Sequence, residues 1–194
     1  MRFGSTAIAF AAALTLFAAT SAGAAVTSHS AASSSSATSA YVPKQWVLSG
    51  FVTFGDAGYA GTGSAMYGGI LDYNLNDKIS IGGQFGHSSN SYDDGFGDKW
   101  TYSYNIIAAR GAYHFGDQLK VENLDAYAGL EIGYNHVSVS TPSNPFYSGY
   151  SAAGSVTRAG IFGGGRYWFS PKFAGFGEVG FGLGNLALGV STRF

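Results

Sequence analysis

From Trp46 to Phe194 the sequence is apolar at alternate residues over segments of about ten, and turn-forming residues separate those segments. A period of two sends successive side chains to opposite faces of a strand. The last segment is the clearest: Leu186, Leu188, Val190, Thr192 and Phe194 share one face, while Asn185, Ala187, Gly189, Ser191 and Arg193 share the other. One face suits hydrocarbon and the other a polar interior. Past residue 40 no apolar run approaches the roughly 20 residues that a spanning helix needs. Strands can cross lipid only as a closed barrel, because an open edge would leave backbone groups unpaired in hydrocarbon.

Seven earlier segments repeat the pattern. Trp46, Leu48, Gly50, Val52 and Phe54 form an outward row in strand one. Strand two, residues 65–73, sends Tyr67, Leu71 and Tyr73 outward and Asp72 inward. After an Asn/Asp turn at 74–77, strand three covers 78–87. Strands four (100–115), five (124–139), six (150–169) and seven (173–180) follow, with turns at 116–117 and 170–172. The expected fold is therefore all-β, an eight-stranded antiparallel transmembrane barrel. An even count places both termini on one side, expected to be periplasmic. Residues 56–64, 88–99, 140–149 and 182–184 become the external loops.

Composition agrees with a lipid-facing exterior. Charged residues make up 11% of the chain, aromatic residues 16%, and there are 30 glycines. An ordinary soluble domain carries about 25% charge. A Gly-rich secreted β-protein is the alternative that composition leaves open; a β-helix or a soluble sandwich could also alternate, but neither accounts for the export signal, the aromatic rims and the strand-final Phe194 together. Arg2, the apolar stretch 7–19 and Ala22-Gly23-Ala24 have the form of a signal peptide over residues 1–24. Residues 25–44 read as a flexible Ser/Ala-rich leader, and 45–194 as the barrel. With no cysteine, disulfides, thiolate zinc sites, cysteine nucleophiles and a lipidated N-terminal cysteine are excluded. Lysines and arginines form no basic stripe, so nucleic acid is not an expected partner. The isolated His29 suggests no metal site, and no cofactor is expected.

On this parity Asp72, Arg110, Glu131, Arg158, Arg166, Glu178 and Arg193 all point into the lumen. Hydrocarbon would penalise an arginine at its midplane by about 2–4 kcal/mol, which supports the register. An eight-stranded interior is just wide enough to be filled by side chains. The expectation is a packed Arg/carboxylate network anchored on Glu131 and Glu178, mildly positive, rather than a conducting pore.

Trp46, Tyr73, Tyr113, Phe115, Tyr167 and Phe169 fall near one end of the strands, and Tyr59, Tyr102, Phe146, Tyr147 and Tyr150 near the other, as girdles would. Tyr92, Phe96, Phe146 and Tyr147 could instead contact an external partner. Asp93, Asp94 and Asp98 read as a solvated acidic loop, because their spacing does not match a full calcium loop.

The signal peptide, the eight alternating segments, the tail from Ser170 to Arg193 and the terminal Phe194 resemble the small bacterial outer-membrane barrel family of OmpA- and OmpX-like proteins. The resemblance implies a monomeric integral outer-membrane protein among outer-membrane lipids and lipopolysaccharide. It also implies that the final strand with Phe194 is read by the barrel-assembly machinery. The roles implied are structural, adhesive or defensive, with an extracellular or membrane-protein partner possible, and without the OmpA-like peptidoglycan-binding domain. One short motif points elsewhere. His87-Ser88-Ser89-Asn90 resembles the motif of outer-membrane lipid A deacylases, which would make His87 the base, Ser89 the nucleophile and Asn90 a supporting residue. A small porin is the remaining alternative.

Overall fold

A computed structural model describes residues 40–54, 65–93, 99–140, 153–181 and 185–194. The eight strands are β1 (Trp46–Phe54), β2 (Met66–Asn74), β3 (Ile79–Asp93), β4 (Lys99–His114), β5 (Leu124–Ser140), β6 (Ala153–Trp168), β7 (Phe173–Phe181) and β8 (Leu186–Arg193). Each pairs antiparallel with its sequence neighbours, and β8 closes on β1 from Val47↔Arg193 to Phe54↔Leu186. The strands are strongly staggered. Paired residues lead from Trp46, at the end carrying the termini, through Tyr73, Ile81, Gly111, Leu130 and Ile161 to Phe181 at the opposite, loop end.

The alternation is obeyed closely. In β1 exposed and buried residues alternate without a break. Leu130, Ile107 and Val190 are each more than 60% exposed on the outer surface. This apolar belt is nine residues long in β1, β2 and β7. At ~3.4 Å per residue and a tilt of about 40°, nine residues climb roughly 23 Å, which matches the apolar band of membrane barrels. The chain is a transmembrane β-barrel. At the terminal end Trp46 and Tyr73 pack together, ring centroids 4.8 Å apart, with Tyr113, Tyr167 and Phe169 also at that rim. At the loop end the outward aromatics are Phe54, Tyr67, Phe85, Tyr134 and Phe181. Tyr102 is not among them, since it shares the inward parity of Ile106 and Arg110.

Two local expectations are corrected. Residues 88–93 extend β3 and Lys99 opens β4, so the expected 88–99 loop contracts to residues around 94–98, and Asp94, Asp98 and Phe96 lie outside the described residues. Polar Ser and Asn alternate as readily as apolar residues once a strand leaves the membrane, and sequence gave no hydrophobic signal to follow there. The β4–β5 connection is not a two-residue turn. It holds a one-turn helix, α1 (Gly116–Leu119), ended by Lys120 at φ 54° and followed by Asn123 at φ 63°. The β2–β3 and β6–β7 turns are held by side chains. Asn76 Oδ1 accepts from the Lys78 and Ile79 amides, and Ser170 Oγ from those of Lys172 and Phe173. Tyr59, Phe146, Tyr147 and Tyr150, His29 and residues 1–24 lie outside the described residues.

Candidate functional site

The lumen is the polar centre of the molecule. Asp72, Arg110, Asp125, Glu131, Arg166, Glu178 and Arg193 are all buried there. Arg110 forks onto Glu178, with Nη2 to Oε1 at 2.7 Å and Nη1 to Oε2 at 3.2 Å, and its Nε lies 3.5 Å from Asp72 Oδ1. The Tyr127 hydroxyl donates to Glu178 at 2.8 Å. Arg166, 1% exposed, donates to Asp72 at 2.6 Å and lies 3.8 Å from Asp125. Each guanidinium also covers an aromatic face, Arg110 on Phe162 at 4.0 Å and Arg166 on Tyr127 at 4.7 Å. The result is a chain of alternating charge, Glu178–Arg110–Asp72–Arg166–Asp125, crossing the barrel between strands that are distant in sequence. Glu131 stands opposite Arg110 across the β4–β5 ladder.

The seven sequence-selected residues do not form one cluster. Arg158 keeps the inward parity but is exposed at the loop end, above the apolar belt. Arg193 stays at the terminal end, where it stacks on Trp168 at 4.2 Å and donates to the carbonyls of Pro171 and Ala40. Asp125, absent from the expected set, enters the chain. It shares parity with Glu131 six residues on, so extending that alternation would have found it. Among the described residues, three buried arginines therefore face four buried acids, not the mildly positive core expected. The lumen is also more apolar than strict alternation suggests. Phe51, Met66, Ile70, Ile106 and Phe176 point inward and pack together. Beside them remains a cavity of about 30 Å³ between Phe51, Thr53, Gln84, Glu131, Phe162 and Glu178. That is room for a water molecule or two.

A second polar relay lies at the terminal end. His114 Nδ1 meets Asp125 Oδ1 at 2.7 Å, and His114 Nε2 meets Ser80 Oγ at 2.8 Å. The order Ser–His–Asp is that of a hydrolytic triad. Its surroundings are not. Ser80 is 2% exposed, β3 is paired on both sides at that residue, and the ring of Tyr41 lies flat on His114 with centroids 4.0 Å apart. No acyl group has room beside the hydroxyl, and the local backbone amides are committed to the sheet.

Tyr41 belongs to a segment that the sequence reading placed in the leader. Ala40 and Tyr41 are buried against the terminal end of the barrel. The Tyr41 hydroxyl donates to Ile79 O at 2.9 Å, Asn74 Nδ2 to Val42 O at 2.6 Å, and Lys44 N to Asn74 O at 2.7 Å. Burial, with Asp125 adding to it, raises the Tyr41 hydroxyl above its ordinary pKa, which keeps it a donor. Residues 40–44 thus cross the mouth of the barrel.

In the His-x-Ser-Asn motif the histidine turns to the neighbouring strand. His87 and Ser89 share the outward parity of Phe85, but His87 Nδ1 bonds Asn105 Oδ1 at 2.8 Å and its ring meets Tyr67 edge-on. Ser89 is opposite Ser103. His87 is therefore oriented by an amide on the next strand rather than by an acid, and its hydrogen bond is not to Ser89. Among the described residues, no group of three or more metal-ligating side chains gathers.

No protein-family model matches the sequence, and no curated protein matches it. Solved structures do match in fold. The N-terminal β-barrel domain of Pseudomonas aeruginosa OprF aligns with 78% of this chain and 98% of its own, with a TM-score of 0.56 and 19% identity. Yersinia pestis Ail, solved with the heparin analogue sucrose octasulfate, aligns with 79% of this chain and 100% of its own (TM-score 0.55, 15% identity). The P. aeruginosa outer-membrane protein OprG covers 78% and 96% (TM-score 0.55, 12% identity). With its closed eight-stranded topology and continuous apolar belt, the chain has the fold of these small outer-membrane barrels.

Proposed function

We propose that this protein is a monomeric, non-enzymatic component of the bacterial outer membrane whose closed barrel supports envelope integrity and presents its loop end to the outside. In this reading residues 1–24 direct export and are removed after Ala24, and both barrel termini face the periplasm. Phe194, the residue after β8, serves as the signal for the assembly machinery. The observation that carries the reading is the charge chain from Glu178 to Asp125. Arginines paired at 2.6–2.7 Å, each stacked on a ring, leave no water-filled path for ions past Phe51, Ile70 and Phe176. Strands of 15–17 residues in β3–β6, against eight or nine elsewhere, raise a sheet beyond the membrane and support a surface role.

Planar-bilayer recording of the refolded protein tests the closed lumen, with no steady conductance expected. A stable open level would overturn it in favour of a small porin. Lipid A mass spectrometry of cells expressing the protein or its Ser89→Ala variant tests the non-enzymatic reading, and any acyl loss that depends on Ser89 would refute it.

A further inference from the structure

We propose that the lumen binds one small monovalent cation, sodium or an ion of similar size, in the cavity beside the Glu131 carboxylate. The inference rests on the closed lumen proposed above, since such a site needs a carboxylate that bulk water does not reach. Glu131 is 8% exposed and lines the cavity of about 30 Å³ together with Thr53, Gln84 and Glu178. Among the described residues no hydrogen bond or ion pair reaches its carboxylate.

The charged and titratable groups around it are engaged elsewhere. Arg110, its partner across the β4–β5 ladder, turns its fork to Glu178 and its Nε towards Asp72. Arg166 lies between Asp72 and Asp125, and His114 also meets Asp125. Tyr127 donates its hydroxyl to Glu178. Arg193 stacks on Trp168 at the terminal end, and Arg158, one pleat nearer the loops on β6, is exposed. Asp72, Asp125 and Glu178 are each matched by a cation, whereas Glu131 is not. An ionised carboxylate buried without a partner is strongly disfavoured, so a positive charge has to come from solution.

Size and ligand number select the ion. The cavity has room for an ion with about one water. Beside Glu131, Gln84 Oε1 accepts a long 3.4 Å contact from Arg110, and Thr53 Oγ1, which accepts from the Met66 amide at 3.2 Å, has a second lone pair. Oxygen donors of this kind suit hard cations. Calcium takes about 6–8 oxygens and magnesium keeps several waters. Four oxygen-bearing side chains around so small a space satisfy neither, and Glu178 is already bonded by Arg110 and Tyr127. One unmatched negative charge also calls for one positive charge. A bound proton would need no cavity. The site lies towards the loop end, because Thr53 pairs with Ala187, and Gly180, which donates to Asn185, lines the same space. The ion therefore exchanges without moving residues 40–44 at the other mouth.

The test follows urea unfolding of the full mature chain in zwitterionic vesicles at one mildly alkaline pH, with sodium chloride exchanged for choline chloride at constant ionic strength. Choline is too large for the cavity. An ion bound by the folded barrel alone raises the folding constant by about tenfold for each tenfold rise in its concentration once the site is mostly filled. Glu131→Gln keeps the shape and removes the charge; it is expected to be equally stable in both salts and more stable than the wild type in choline. Equal wild-type stability in the two salts, or a Glu131→Gln barrel that responds to sodium as the wild type does, would overturn the proposal. In the first case, a pH dependence that Glu131→Gln abolishes would assign a proton to the carboxyl instead. The wild-type comparison of the two salts needs no variant, so it decides the matter even where Glu131→Gln fails to insert. Steady conductance in the planar bilayer would refute the closed lumen, whereas a missing sodium effect in a barrel that does not conduct refutes the ion site alone.

Discussion

Arg110→Met separates a dry lumen from a wet one. The substitution keeps much of the side-chain length but removes the fork onto Glu178 (2.7 and 3.2 Å), a 3.4 Å bond to Gln84 and the 3.5 Å contact with Asp72. Among the described residues Glu178 then keeps the Tyr127 hydroxyl at 2.8 Å, whereas Asp72 still has Arg166 at 2.6 Å. Breaking a buried pair by removing one partner costs about 3–5 kcal/mol, because the other charge is stranded. A hydrated pair would cost about 0–1 kcal/mol. The two cases differ by more than the error of a urea titration, so one experiment decides between them. Arg110→Met/Glu178→Leu removes both charges and should recover at least about 2 kcal/mol relative to Arg110→Met alone, since apolar replacements of buried pairs are often near neutral. The measurement is urea unfolding in lipid vesicles, followed by tryptophan fluorescence and by the gel shift of the folded barrel. A loss below about 1 kcal/mol for Arg110→Met, with no recovery in the double variant, would refute the packed-lumen reasoning.

Three further outcomes follow from other parts of the barrel. Leu130→Arg places a guanidinium near the middle of the apolar belt and should destabilise the vesicle-inserted protein by about 2–4 kcal/mol; a neutral result would mean that this surface does not face hydrocarbon. Gly189→Ala puts a methyl against the Gly50 backbone and 2.6 Å from the Phe176 ring at the β1–β8 seam, so a loss of about 1–3 kcal/mol is expected, while Gly50→Ala, with nothing within 4 Å, should fold as wild type in the same titration. Tyr41→Ala should cost about 3 kcal/mol and make His114 react faster with diethylpyrocarbonate; unchanged reactivity would show that residues 40–44 do not seal the mouth.

Much of this was legible because a barrel in lipid has few ways to satisfy its backbone. Strand number, the outward row of β1 and the inward placement of Asp72, Arg110, Glu131 and Glu178 all follow from a period of two applied where one face must be apolar. The rule weakens where that constraint ends. Beyond His87 both faces are polar, so the six extra residues of β3 carried no signal. Inside, parity gives direction but not height, and Arg158 and Arg166 look equivalent in sequence although one is exposed at the loop end and the other is 1% exposed in the lumen.

The amino-acid sequence alone determined which faces meet lipid, because the cost of a misplaced charge in hydrocarbon is paid residue by residue along each strand. Tertiary structure decided which inward charges meet. The stagger sets the height of each strand against its neighbours, and so brings Arg110 of β4 to Glu178 of β7 and Arg166 of β6 to Asp72 of β2. It also decided that Tyr41 closes the mouth, since the Ile79 carbonyl and the His114 ring that hold it converge only after β8 has closed on β1.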